Sequence, residues 1–281
     1  MEKFVIIILI IIILLLLLCD NNENFEISDI VYKDKINKHI KKYFITFGGP
    51  SKRFHDAVNR IKKEAEELGI YDKIIGYTDK ELKDKNKFWR KHGKFIESNP
   101  RGYGYWLWKS FITKETLKEM NENDILVYAD SGCSLNKNGN KRLLEYFDIV
   151  KNSNLGILSF ELDYIEKSYT KMDIFKEMNV FELMDTKQLV GGIFIIRKCE
   201  RTVNLVKEWY KLCSNYHLIS DEPSKIPNSP DFIDNRHDQS IFSLLRKKRG
   251  TEILRDETYF YPDWEILGKN YPIWAVRNRN R

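Results

Sequence analysis

The chain has 281 residues, of which 31% are charged, and a formal net charge of +6 at pH 7. Basic and acidic residues are interspersed rather than separated into a basic stripe, which argues against a nucleic-acid-binding protein. The length suits one large domain, with room for a small appendage. The cysteines have no metal-ligand spacing and predict no fully paired disulfide framework; they are Cys19, Cys133, Cys199 and Cys213.

The amino terminus carries an unbroken run of Val, Ile and Leu at residues 5–18. As a helix this run would rise about 21 Å, which suits a short membrane span or the apolar core of a secretory signal. Large Leu residues run up to Cys19 without a small-residue cleavage pattern. We therefore predict an uncleaved signal anchor at residues 1–19 and a polar stalk at 20–41, with a cleaved signal peptide as the alternative.

Charges on either side of this run predict its orientation. Lys3 precedes it, and acidic residues such as Asp20 and Glu23 follow it. By the positive-inside rule, the bulk of the chain is expected on the non-cytoplasmic side of a membrane, as in a single-pass protein of the secretory pathway.

Apolar runs then alternate with helical patterns. A strand is predicted over 43–47, a helix from a cap at Ser51 to about Leu68, closed by Gly69, and a second strand over 73–77. This strand–helix–strand unit predicts an α/β fold with a parallel sheet. Residues 80–100 read as a polar connection. Further elements are predicted as helix 105–120, strand 125–129, helix 141–150, strand 155–160, helix 169–178, strand 193–196, helix 200–216, loop 218–236 and helix 238–248.

An acidic motif follows the predicted strand 125–129, where Asp130, Ser131 and Gly132 come directly after Tyr128-Ala129. In open α/β sheets, ligands bind just outside the carboxyl ends of strands. A carboxylate there can hold a divalent metal against a diphosphate, and the small residues let a phosphate approach the backbone. Taken alone, Asp-Ser-Gly is also ordinary turn chemistry.

A second motif combines glycines and aromatic residues before a lysine, from Gly102 to Lys109. Trp106 and its neighbours can stack on a base or a sugar, and Lys109 can meet a diphosphate as a point charge. The alternative is an aromatic helix start packed in the core, with Lys109 at the surface.

Two further motifs stand later in the chain. Gln188 precedes Gly191-Gly192 at the entry to a predicted strand, which suits a close-packed floor for a substrate or a simple strand-entry turn. His237, Asp238 and Gln239 open a predicted helix, whose N-terminus favours anions. The alternative for this motif is helix capping by Asp238 beside a surface histidine.

In their order and spacing, these motifs resemble the nucleotide-sugar glycosyltransferases with the single-domain, Rossmann-like α/β fold called GT-A. The resemblance extends to a group with GYWLWK, YxDxG, GG and HDQS motifs, here at 104–109, 128–132, 191–192 and 237–240. It covers roughly residues 42–276 and implies a glycosyltransferase domain at 42–281.

The resemblance also implies roles for the matching residues. Asp130 would be the first acid of an Asp-x-Asp signature and, with His237, a candidate ligand of a divalent cation (Mn or Mg). Asp238 and Gln239 would face the reacting sugar and the acceptor. The nucleotide and donor sugar would be bounded by Phe47, Gly48, Gly49, Thr78, Trp106, Lys109, Asp130, Ser131, Gly132, Gln188, Gly191 and Gly192. One departure puts metal dependence in doubt, because Gly132 occupies the place of the second acid.

The resulting hypothesis is a membrane-anchored glycosyltransferase, which moves a sugar from a nucleoside-diphosphate donor to a hydroxyl of a glycan or glycoprotein. Two other functions stay open. One is a non-catalytic, membrane-anchored glycan-binding protein of the same fold, which the missing second acid favours. The other is a metal-dependent phosphohydrolase that uses Asp130; it would need further carboxylates at strand ends, for which Asp79 and Asp163 are only loosely placed.

Overall fold

A computed structural model describes residues 39–278. The chain divides into two units, Met1–Ile40 and Lys41–Arg281, and the second contains all the elements given below. The anchor predicted at 1–19 and residues 20–38 of the predicted stalk lie outside the described residues. Within residues 39–278, no helix has both the length and the apolar character needed to span a bilayer.

The strands, in chain order, are β1 (Lys42–Phe47), β2 (Lys73–Tyr77), β3 (Ile125–Ala129), β4 (Ser134–Leu135), β5 (Ile157–Ile165), β6 (Lys187–Leu189), β7 (Ile193–Arg197), β8 (Glu252–Arg255) and β9 (Ile273–Trp274). A seven-stranded sheet has the order β2-β1-β3-β7-β5-β6, with β8 also paired to β5. The short strands β4 and β9 pair separately.

The helices are α1 (Lys52–Leu68), α2 (Asp79–Asp84), α3 (Asn86–Ser98), α4 (Gly102–Tyr105), α5 (Leu107–Glu119), α6 (Asn140–Asn152), α7 (Glu166–Tyr169), α8 (Met172–Met178), α9 (Glu200–Cys213), α10 (Tyr216–Ile219), α11 (Asp238–Arg249) and α12 (Trp264–Leu267). Two single 3₁₀ turns cover Lys137–Gly139 and Phe181–Leu183.

The predicted strand–helix–strand unit is confirmed, because β1 pairs in parallel with β2 and also with β3. The next neighbour is reversed, since β7 runs antiparallel to β3 and places Ile193 opposite Ala129, although β5 and β8 pair in parallel farther along the sheet. The start of β7 therefore lies beside the end of β3, and the Asp130 N–H donates to the Gly192 carbonyl at 2.8 Å. This reversal brings two of the sequence motifs to one edge of the sheet.

The prediction of a polar connection over 80–100 is wrong, since the segment folds into α2 and α3. Thr78 starts α2 with a capping box, in which Glu81 Oε2 accepts the Thr78 N–H at 2.7 Å. In α3, Phe88, His92 and Ile96 are spaced four residues apart and are buried together. The many charged residues between these positions hide the helical period in the sequence.

Helix α5 is embedded in the core, and this decides where Lys109 lies. Every residue from Leu107 to Thr113 is buried, because α5 packs against α9 and α11. The core below it is aromatic: Trp209 stacks on Phe242 at 3.8 Å between ring centroids, and Phe194 meets both rings edge-on. A side chain that points from α5 toward the sheet therefore enters the protein interior.

Candidate active site

A cleft of about 1400 Å³ lies at the carboxyl ends of β1 and β3. Most of the sequence-predicted site residues line it, namely Phe47, Gly48, Gly49, Trp106, Lys109, Asp130, Ser131, Gly132, Gly192, His237, Asp238 and Gln239. Gln188 and Gly191 lie directly behind its wall. Thr78 is not among the lining residues, and its side chain caps α2.

A buried lysine between two carboxylates forms the centre of the cleft wall. Lys109 Nζ lies 3.4 Å from Asp130 Oδ1 and 3.2 Å from Asp238 Oδ2, and it donates to the Gly191 carbonyl at 3.3 Å. The side chains of Lys109 and Asp238 are each only 4% exposed, whereas that of Asp130 is 42% exposed. The alternative is therefore wrong in placing Lys109 at the surface, although the aromatic start of the helix is packed in the core as it expected.

Burial divides the roles of the two carboxylates. It raises the pKa of Asp238 to about 6; Lys109 opposes this rise and the charge of Asp130 adds to it. For Lys109, burial lowers the pKa, but Asp130 and Asp238 together outweigh it, and the pKa is raised. Asp238 Oδ2 has no aligned hydrogen-bond donor among residues 39–278. The lysine is thus a fixed cation, and Asp238 is the group that can exchange a proton near neutral pH.

Behind this wall, a chain of hydrogen bonds orients Gln239. Glu166 is fully buried, accepts from Gln188 Nε2 at 3.2 Å, and pairs with Lys247 Nζ at 2.7 Å. A carboxylate can only accept hydrogen bonds, so Glu166 must face the amide nitrogen of Gln188. This orientation leaves Gln188 Oε1 on the other side, where it accepts a hydrogen bond from Gln239 Nε2 at 2.8 Å. One N–H of the Gln239 amide is thereby used, and its second N–H and its carbonyl oxygen are left for a substrate.

The paired glycines before β7 are needed because two functional side chains pass close to their backbone. A Cβ at Gly191 would lie 2.6 Å from the Cβ of Gln239, and one at Gly192 would lie 2.7 Å from Asp130 Oδ2. Any side chain at these positions would push Gln239 or Asp130 out of place. The pair is therefore more than a strand-entry turn.

His237 is buried, 3% exposed, and does not lie at the surface. Its Nδ1 donates to the Ile219 carbonyl at 2.7 Å, and its ring stacks on Trp106 at 5.3 Å between centroids. Burial lowers its pKa, so the ring is neutral and Nε2 carries a lone pair. This Nε2 has no hydrogen-bond partner among the described residues and lies 3.7 Å from Asp221 Oδ1.

The residues present do not form a preassembled metal site. In the described part of the chain, no three His, Cys, Asp or Glu side chains are grouped to hold a metal ion. Gly132 stands in place of the second acid, and Asp130 Oδ1 already accepts the Tyr128 hydroxyl at 2.5 Å, beside the Lys109 ammonium. A divalent cation stays a prediction, which rests on Asp130, His237 and the phosphates of a substrate.

Several residues of the cleft were not predicted as site residues from the sequence. The tail is rich in aromatic residues, which alone assign no site to it, and Arg277 follows no pattern that points to a cleft. These additional lining residues include Arg236, Asp256, Tyr259, Tyr261, Trp264 and Arg277.

No protein-family model and no curated protein matches the chain. It is similar to the solved structure of a glycosyltransferase involved in the glycosylation of the major capsid of PBCV-1, with 12% identity and a TM-score of 0.48, over 83% of this chain and 91% of that chain. It is also similar to mouse xyloside xylosyltransferase 1, with 13% identity and a TM-score of 0.46, over 80% of this chain and 90% of that chain. Similarities this low assign no function, and the proposal that follows rests on the cleft itself.

Proposed function

We propose that this protein is a GT-A glycosyltransferase, which transfers a sugar from a nucleoside-diphosphate donor to a hydroxyl of a glycan or glycoprotein. The observation that carries the proposal is the wall of the cleft, where Lys109 is held between Asp130 and Asp238 at the carboxyl end of a core strand. Ligands of open α/β folds bind at this edge. Glycosyl transfer builds negative charge on the departing diphosphate and removes a proton from the acceptor hydroxyl. A fixed cation, Lys109, between the exposed carboxylate of Asp130 and the buried carboxylate of Asp238 suits such a reaction.

The cleft has room for two substrates. Its volume of about 1400 Å³ exceeds the roughly 300–1,000 Å³ of a typical small-molecule pocket. Phe47, which stacks on Trp108 at 3.8 Å between centroids and is only 4% exposed, lines the cleft beside Gly48 and Gly49, so this part of the cleft offers mainly backbone to a nucleotide. Tyr259 and Tyr261 line the cleft too, and offer a surface for an acceptor sugar.

In the reaction, the acceptor hydroxyl oxygen bonds to the anomeric carbon of the donor sugar, and the bond from that carbon to the diphosphate oxygen breaks. The diphosphate leaves with the electron pair. If configuration inverts, Asp238 takes the hydroxyl proton, since a pKa of about 6 leaves it ionised at neutral pH yet basic enough to accept one. If configuration is retained, Gln239 positions the reacting groups through its carbonyl oxygen.

Lys109 takes a different role from the predicted diphosphate contact. Its ammonium is shared by Asp130, Asp238 and the Gly191 carbonyl, so we assign it to holding the two carboxylates in place. Preorganised charge of this kind lowers the barrier because it needs no rearrangement during the reaction.

Of the two other functions, non-catalytic glycan binding is the stronger, because Gly132 replaces an acid and Tyr261 is 69% exposed in the cleft. The phosphohydrolase lacks one of its expected acids. Asp79 bonds His55 at 2.7 Å and is not among the residues lining the cleft, although Asp163 is.

The test is a calorimetric titration of the purified full-length protein with UDP, GDP and CMP, with and without manganese. Asp130→Ala is compared with Asp148→Ala, which changes an exposed aspartate of α6 outside the cleft. We expect one nucleotide to bind, and only the Asp130 variant to weaken binding. Binding of a glycan without binding of any nucleotide would instead establish the non-catalytic function.

A further inference from the structure

The carboxyl-terminal residues 275–278, here called the strap, cross the loop that carries Asp130. The Ala275 N–H donates to the Thr258 carbonyl and the Asn278 N–H to the Gly132 carbonyl, both at 2.7 Å. Arg60 Nη2 joins the strap to the loop, because it donates to the Ser131, Cys133 and Asn278 carbonyls at 2.7, 2.8 and 3.3 Å. The strap is thus fixed at both ends.

The strap takes the space into which a second acid would project. A Cβ built on Gly132 would lie 3.5 Å from the Arg277 Cα, an ordinary contact for a methyl group. An aspartate carboxylate would extend beyond that carbon into the strap backbone. The absence of a side chain at Gly132, where the resemblance expects an acid, therefore also allows the strap to pack against this loop.

The strap also brings a cation to the cleft that differs from the other basic residues there. Arg101 pairs with Asp221 and Asp234 at 2.8 and 3.0 Å, and the Arg236 guanidinium lies over the Tyr169 ring at 4.0 Å. Lys109 is buried between its carboxylates. Arg277 is exposed and lines the cleft, and its guanidinium has no hydrogen bond or ion pair with any residue between 39 and 278.

We propose that Arg277 binds the diphosphate of the donor, and that the strap replaces the second acid and its metal as the source of positive charge. This inference rests on the proposed function. A guanidinium matches the geometry of phosphate oxygens with two parallel N–H bonds. The ligand class is a nucleoside-diphosphate sugar, bound without a requirement for a divalent cation.

The experiment measures binding of UDP, GDP and the corresponding uncharged nucleosides to the full-length protein by calorimetry in EDTA. Arg277→Ala and Arg277→Lys are compared with Arg255→Ala, an exposed arginine outside the cleft. We expect Arg277→Ala to weaken diphosphate binding by about tenfold or more, the usual cost of losing hydrogen bonds to a charged group. Nucleoside binding and the melting temperature should be unchanged, the lysine variant should be intermediate, and the control should match the wild type.

A second variant tests the strap. Gly132→Asp should displace the strap and weaken diphosphate binding in EDTA as much as Arg277→Ala does. This inference would be overturned if Arg277→Ala or Gly132→Asp bound the diphosphate as tightly as the wild type, or if the wild type lost diphosphate binding in EDTA. These outcomes would leave the proposed function standing. If the wild type bound no nucleoside diphosphate even with manganese present, the proposed function would fail, and the inference with it.

Discussion

The two sides of the cleft are built differently. On the inner wall, formed by Lys109, Asp238, Gln239 and the residues behind them, the polar side chains contact one another and most are buried. On the outer rim, formed by Tyr259, Tyr261 and Trp264, the tyrosines are 54% and 69% exposed. The rings of the rim contact one another, with Tyr259 lying 5.3 Å from Trp264 and 6.5 Å from Tyr261 between centroids.

This contrast separates chemistry from recognition. Buried, partnered groups hold their geometry during a reaction, but each is also part of the folded core. Exposed rings contribute contact area to a ligand and little to folding. Substitutions on the inner wall should therefore change rate and stability, while those on the rim should change affinity alone.

The largest effect is expected for Asp238→Asn, which removes the proposed base. Activity should fall by about 10²- to 10⁴-fold, the usual contribution of a positioned base. Stability at pH 8 should be kept or rise, because burial disfavours the charge of Asp238 and an amide carries none. Product formation and thermal melting measure the two effects. The control is Asp185→Asn, at a side chain that is 81% exposed. Near-normal activity of Asp238→Asn would show that the inner wall has a structural role and takes no part in the chemistry.

Lys109→Met should be the most destabilising change. It leaves Asp130 and Asp238 facing each other without the ammonium, and breaking a buried ion pair costs about 3–5 kcal/mol. Lys118→Met is a matched control on the same helix, since Lys118 is 59% exposed and pairs only with Glu115 among the described residues. Urea unfolding compares them, and equal midpoints would show that the lysine does not hold the wall together.

The pH dependence of rate and of stability should run in opposite directions. Activity should rise with pH to a plateau above about 6, falling about tenfold for each unit below it, as Asp238 loses its proton. Because the folded-state pKa is raised above 3.8, the folded state holds this proton more tightly. The resulting stability is fully present below pH 3.8 and lost as pH rises through about 6. Asp238→Asn should abolish this component of the pH dependence of unfolding, and an unchanged profile would assign the proton to another group.

Local patterns were enough to predict the elements that support the cleft. Strands 73–77 and 125–129 have the predicted bounds, and α1 ends at Leu68 before Gly69, which adopts the left-handed conformation. These elements are short apolar runs or amphipathic segments between clear breakers, so their neighbours in sequence decide their structure. The convergence of the motifs on one cleft was not local in this sense, because it also depends on the antiparallel reversal that brings the start of β7 beside the end of β3.

The rest depends on contacts between distant residues. Lys109 has the same sequence signature in the core or at the surface, and only the packing of α5 decides which. The 3.4 Å and 3.2 Å contacts to Asp130 and Asp238 join separate motifs. Arg277 reaches the cleft through a bond between Asn278 and Gly132, which no pattern within the tail could predict.

The smallest effect is expected on the rim, for Tyr261→Ala. Loss of one aromatic face costs about 0.5–1.5 kcal/mol, so the KM for the acceptor should rise by about two- to tenfold. Because this side chain is 69% exposed, kcat and the melting temperature should not change. Tyr261→Phe, which keeps the ring, should retain most of the affinity, and Ile266→Ala, at an exposed residue outside the cleft lining, should have no effect. A fall in kcat equal to the rise in KM would mean that Tyr261 acts on the reacting groups, and the division between a chemical wall and a recognition rim would then be wrong.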